Sequence, residues 1–207
     1  MPMFSLVGLS LRRILIIILL THPNATWSQD LQNTEPEKKL SIRMNTVIET
    51  HIGIISQWLK TPEFNNLLIE NNKNLLSVEE IEQRDQNWIQ GKDVHLYEQL
   101  KSSLVSQILQ AKIINSKVYV EAFVCDQQGV IVALYPKSSD YWQGDEAKFI
   151  NSFNQGKGSI FIDKLSFDDS TNMYSVHVSI PIFHDNKTIG ILIVGIKNIT
   201  SGIKNYH

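Results

Sequence analysis

The chain has 207 residues, 43% hydrophobic and 19% charged, enough for one domain with a core of its own. Its formal net charge is -2; residues 1–28 carry Arg12 and Arg13 and no acid, so without them 17 basic side chains face 21 acidic ones, a net of -4. Such a balance excludes a surface built to neutralise phosphates, and no nucleic acid is expected as a partner.

Residues 1–28 read as a signal peptide. Arg12 and Arg13 close a basic segment, residues 14–20 form an unbroken apolar run, and Pro23 and Asn24 break it. A spanning helix needs roughly 20 apolar residues, so cleavage after Ser28 is favoured over an N-terminal membrane anchor, and the mature chain is expected to be periplasmic or secreted. Residues 29–39, polar and containing Pro36, suit a linker.

Residues 40–114 read as the helical part of the domain. Met44, Val47, Ile48, His51, Ile52, Ile55, Trp58 and Leu59 recur at intervals of three and four, which predicts an amphipathic helix over 40–60. Thr61 and Pro62 open a second helix, and Ser77 with Glu80 at capping-box spacing opens a third, stopped by Gly91. Leu96, Leu100, Leu104, Ile108 and Leu109 predict one fourth helix over 94–112.

Residues 115–207 change period. Strands are expected at 118–125 and 130–135 around Asp126-Gln127-Gln128-Gly129, at 159–164, and at 173–183 and 188–196 around His184-Asp185-Asn186-Lys187. A short helix over 144–153 has Asp145 near its start. The fold class is α+β: an antiparallel sheet of about five strands with the helices segregated to one side. The single cysteine, Cys125, forms no intramolecular disulfide and reads as a small buried hydrophobe.

The stretch 119–197 resembles the PAS-like Cache (PDC) sensor domains, above all their standalone exported members. The likeness rests on Glu121-Ala-Phe-Val-Cys-Asp126, Gly129-Val-Ile-Val-Ala133, Ser139-Asp-Tyr-Trp-Gln-Gly-Asp-Glu-Ala-Lys-Phe149, and Ser179-Ile-Pro-Ile182 leading to Ile189-Gly-Ile-Leu-Ile-Val-Gly195. Residues 81–88, with Asp85, resemble the helix that precedes the core in those members. The resemblance implies a sheet with the long N-terminal helix on one face and a ligand cavity on the other, roofed by the loop and helix after the second strand. It also implies a small-molecule sensor; no membrane span or signalling domain follows in the sequence, so a separate membrane receptor or transporter protein is the expected partner.

Asp140, Tyr141, Trp142, Asp145 and Glu146 place two rings among three carboxylates, a mix able to hold a cationic head group. The same residues also suit plain structural work, Asp145 as a helix cap and Trp142 as a core plug. Alternation along the strand from Met173 puts Tyr174, Val176, Val178 and Ile180 on one face, toward the long helix, and Ser175, His177 and Ser179 on the other, toward the cavity. Tyr174 also stands beside Asp163, Asp168 and Asp169, which either line the far end of the pocket or form a solvated turn with 170–172. Glu121, a carboxylate within an apolar strand, needs a partner: it lines the pocket or pairs with a lysine.

The expected ligand is an amine or amino acid, with a carboxylate beside Lys157 or His177 as the other possibility. No histidine or carboxylate stands at metal-ligand spacing, and neither a nucleophile elbow nor a phosphate-cradling glycine loop is present, so no metal, cofactor or catalytic residue is expected. Two rival classes are a secreted interaction module with a plugged, non-binding cavity and a secreted enzyme without a recognisable motif.

Overall fold

Six α-helices and a six-stranded antiparallel sheet make up the fold, seen in a computed structural model that describes residues 40–168 and 172–198. The expected signal peptide, the linker over 29–39 and the turn residues 169–171 lie outside the described residues.

Helix starts follow their local chemistry. Ser41 caps α1 (Ile42–Trp58) by accepting from the Met44 amide, and Pro62 opens α2 (Pro62–Asn71), where its missing N–H costs nothing. Both bonds of the capping box between Ser77 and Glu80 form at the start of α3 (Val78–Ile89). The expected fourth helix is two, α4 (Val94–Ser102) and α5 (Leu104–Ile114). Ser103 leaves helical geometry at ψ 149° and its side chain accepts from the Ser106 amide, so a new N-cap breaks the run.

The strands are β1 (Tyr119–Asp126), β2 (Ile131–Tyr135), β3 (Phe161–Ile162), β4 (Ser166–Asp168), β5 (Met173–His184) and β6 (Lys187–Lys197), with α6 (Ala147–Phe153) between β2 and β3. Their order is β2-β1-β6-β5-β3, and β4 also pairs with β5. β4 was not foreseen: it is three residues long and held by its pairing with β5. At the β1–β2 turn Asp126 Oδ1 accepts from the Gln128 and Val130 amides while Gly129 takes φ 82°.

One sheet face buries Ala122, Val124, Val176, Val178, Ile180, Leu192, Val194 and Ile196 against α1, α2 and α5, through Met44, Ile48, Ile55, Phe64, Leu68 and Leu109. The alternation read in β5 therefore holds from Val176 to Ile180, whereas Tyr174 at the strand's start is 49% exposed. The other face is covered as well. Phe123, Cys125, Ile191 and Ile193 pack with Ile81 and Trp88 of α3, Phe149 of α6 and, partly buried, Leu96 and Tyr97 of α4. Helices thus lie on both faces, since a sheet this apolar on both sides exposes neither to water.

Candidate functional site

The second face is apolar except at Glu121 of β1 and along β5, where Ser175, His177 and Ser179 point the same way and are all buried. Register places Glu121 of β1 opposite Gly195 of β6, and Gly195 opposite His177 of β5. The glycine contributes no side chain to this row, so Glu121 and His177 meet across it: His177 Nε2 stands 2.6 Å from Glu121 Oε1, the ring N–H donating to the carboxylate. Both residues are under 10% exposed, Glu121 at 4% and His177 at 7%.

This pair forms one wall of a small cavity of about 40 Å³, completed by Phe123, Ser138, Ser139, Gln143 and Lys148. Lys148 of α6 places Nζ 5.7 Å from the centre of the Phe123 ring and 3.1 Å from Glu146 Oε2. Gln143 is 1% exposed, and its Oε1 has no hydrogen-bond partner; the hydroxyls of Ser175 and Ser179, fully buried on the same sheet face, have none either. Buried polar atoms without partners are uncommon, and of the six among the described residues Gln143 Oε1 lines this cavity while Ser175 Oγ and Ser179 Oγ lie on the same face of the sheet. The space is close to that of a single water, so a larger guest needs the roof over it to move.

That roof is the segment between β2 and α6, tied down from upstream. Asp85 of α3 accepts from the Tyr141 amide at 2.9 Å and the Trp142 amide at 3.0 Å with one oxygen, and the Trp88 indole donates to the Ser138 carbonyl at 2.9 Å. Tyr141 is 3% exposed, its ring 5.7 Å from Trp88, and burial pushes its phenol above the usual range. Trp142 donates its indole N–H to the Gln128 carbonyl at 2.9 Å and leans on the bare backbone of Gly144.

Of the seven side chains singled out in the sequence, His177 lines this cavity. Glu146 reaches it through Lys148. Asp140 belongs to the roof, accepting from Ser139 Oγ at 2.9 Å through its side chain and from Ser138 Oγ at 2.7 Å through its carbonyl. Tyr141 and Trp142 are packed into the roof's own framework, because their amides and rings are held by α3 and the β1–β2 turn. Asp145 is exposed, and the cap position of α6 belongs to Glu146 instead. Tyr174 lies on the opposite face of β5 from His177, its ring edge-on to Phe167 at 5.2 Å. Glu121 does line the pocket, with a histidine rather than a lysine as its partner. Lys148 and Gln143 escaped the sequence reading. Both fall within the stretch that carries the resemblance, and Lys148, next to the buried Phe149, is the one cation of α6.

No group of three or more metal-ligating side chains occurs among the described residues, and none of their helices is long and apolar enough to cross a membrane.

No family model matches the sequence, and no curated protein matches it. Among solved structures the chain is similar to the extracellular domain of a protein described as a histidine kinase, at 17% identity over 54% of this chain and 50% of that one, with a TM-score of 0.40. It is similar to the ligand-binding domain of a Pseudomonas aeruginosa amino acid chemoreceptor in complex with GABA, at 17% identity over 54% of each chain and a TM-score of 0.36. It is also similar to the ligand-binding domain of a Campylobacter jejuni chemoreceptor in complex with 4-methylisoleucine, at 19% identity over 68% of this chain and 62% of that one, with a TM-score of 0.36. The chain thus spans from half to under two thirds of the length of these neighbours.

Proposed function

We propose that this chain is an exported small-molecule-sensing module of the PAS-like Cache kind that reports to a separate membrane receptor or transporter protein and performs no catalysis. The observation that carries the reading is the buried polar site on the second sheet face, where the Glu121–His177 pair and Lys148 surround the unpartnered Gln143 Oε1. An amine or amino acid suits it: an ammonium group donates to Gln143 Oε1 and Glu121, and a carboxylate on the same ligand meets Lys148. His177 touches this ligand, Glu146 holds Lys148, and Asp140, Tyr141 and Trp142 belong to the roof that shifts when it enters. Asp145 and Tyr174 have no part in it. A ligand that binds only the opened form draws the population toward that form, and the displaced roof is the altered surface a partner reads.

A second reading, an interaction module with a plugged cavity, is favoured by one observation: the space is about 40 Å³, with Trp88 and Tyr141 packed under the roof. A thermal-shift screen of amino acids, amines and carboxylates on the full chain separates the two. A ligand present at 100 times its dissociation constant adds about 2.7 kcal/mol to stability. The sensing reading expects such a shift and its loss in Lys148→Gln or His177→Ala; silence across the library supports the plugged module.

A further inference from the structure

A larger concavity lies around the passage from α5 into β1, and none of its described lining residues is shared with the His177 cavity. It has two lobes, one of about 590 Å³ and one of about 500 Å³, which share Ser116 and Tyr119 as a common wall. Each volume falls in the range of about 300–1,000 Å³ that small-molecule sites occupy. Three rings meet in the smaller lobe: Tyr119 stands edge-on to His51 at 5.1 Å and to Trp58 at 5.0 Å, and Tyr119 Oη lies 2.6 Å from His51 Nδ1. Lys112 Nζ sits 5.8 Å from the Trp58 ring centre, and Lys117 and Lys197 line the larger lobe.

The charge is what selects a ligand. Among the described residues lining either lobe there are three lysines and no carboxylate, on a chain whose overall balance is 19 basic to 21 acidic. The local sign is therefore opposite to that of the whole molecule, and a groove lined by one sign of charge concentrates ligands of the other. Burial lowers the His51 pKa and raises that of Tyr119 to about 12, so at neutral pH these two groups add polarity but no charge. In the tautomer where Tyr119 Oη donates to His51 Nδ1, His51 Nε2 keeps its proton and adds a donor to the lysines.

We infer that this groove between α1, α5 and the start of β1 is a second ligand site, which takes an aromatic carboxylate with its ring against Trp58 and Tyr119 and its anionic group among Lys112, Lys117 and Lys197. The site is separate from the Glu121–His177 cavity and stands whether or not that cavity binds anything.

The test is a titration of the ¹⁵N-labelled full chain, followed by amide and indole NMR shifts, with benzoate, with benzamide as its uncharged analogue, and with acetate as the charge without the ring. Benzoate should give saturable shifts centred on Ser116, Tyr119 and the Trp58 indole, with benzamide and acetate each binding about tenfold more weakly, a difference of 1.4 kcal/mol. The triple variant Lys112→Gln, Lys117→Gln, Lys197→Gln should lose a similar factor while melting at the parent temperature. Absence of saturable benzoate shifts, equal affinity for benzamide, full binding by the triple variant, or shifts confined to Glu121, Gln143 and Lys148 would each overturn the assignment.

Discussion

Glu121 Oε1 and His177 Nε2 lie 2.6 Å apart although their strands are not neighbours: β6 runs between them and contributes Gly195 to the row. Adjacent strands are about 4.8 Å apart, so the two backbones stand about 10 Å from each other and only two inward-leaning side chains over a bare glycine close the gap. The pair places two ionisable groups in a face whose apolar part is Phe123, Cys125, Ile191 and Ile193 and whose other polar groups are the Ser175 and Ser179 hydroxyls. Each compensates the desolvation of the other, which is the condition for keeping them buried.

The first prediction concerns that glycine. A Cβ at residue 195 would stand 2.8 Å from Val120 Cγ2 and 3.0 Å from Glu121 Cγ, so Gly195→Ala pushes Glu121 out of line with His177. The expected cost is about 1–3 kcal/mol, read from urea unfolding. Gly53→Ala is the control: it lies within α1 with nothing within 4 Å of the added carbon, and there the same change should stabilise by about 0.5–1 kcal/mol. Equal effects at the two positions would show that the cross-strand contact plays no part.

Asp85 gives a second prediction. One of its oxygens holds the Tyr141 and Trp142 amides, joining α3 to a segment more than 50 residues downstream. Asp85→Ala leaves both donors without that partner and should cost about 1–3 kcal/mol in unfolding free energy. Asp85→Asn keeps a carbonyl oxygen in place and should retain most of the stability. Hydrogen exchange at the two amides should accelerate in the alanine variant and stay near parental in the asparagine variant; the reverse order would mean that charge, rather than the two bonds, holds the roof.

Cys125 supports a third. It is fully buried, and burial pushes its thiol well above the ordinary range, with the neighbouring Asp126 carboxylate adding to the effect. The thiolate is the reactive species, so the native thiol should resist alkylation. Labelling by a thiol reagent should track global unfolding across a urea series, and rapid labelling of the folded chain in water would contradict the packing on this sheet face.

Local signals account well for the elements and less well for what the elements bring together. Ser77 with Glu80, Thr61 with Pro62 and the Asp126–Gly129 turn each carry their own stop or start chemistry, and the corresponding elements form where they stand. The break at Ser103 was hidden because the apolar spacing runs through it without a change of phase, leaving only the Ser103–Ser106 cap as a sign. β4 was hidden because three residues carry no period of their own. Alternation sent His177 to the second face and marked Glu121 as needing a partner, but their meeting depends on the order β1-β6-β5, a non-local fact. The tyrosine–tryptophan segment was visible as a unit. Its anchors, Asp85 and Trp88 in α3, are set by how that helix docks.

The last prediction is a pH dependence. Burial lowers the His51 pKa from its ordinary value of 6.5, because the charged imidazolium is the form that loses most by leaving water. The folded chain then binds fewer protons at this residue than the unfolded chain when the pH drops to 6.5 and just below. The stability tied to the neutral imidazole is therefore complete above pH 6.5 and is lost as the pH falls through that value toward the lower pKa of the folded state. Stability measured by urea unfolding from pH 8 to pH 5 should decline on the acid side, and His51→Gln should flatten that decline while its amide still accepts from Tyr119 Oη, the partner of His51 in the parent. Tyr119, held near 12, stays protonated throughout this range and adds no slope of its own. An unchanged acid-side slope in the glutamine variant would show that the proton uptake belongs to other groups and that the His51–Tyr119 contact forms without desolvating the ring.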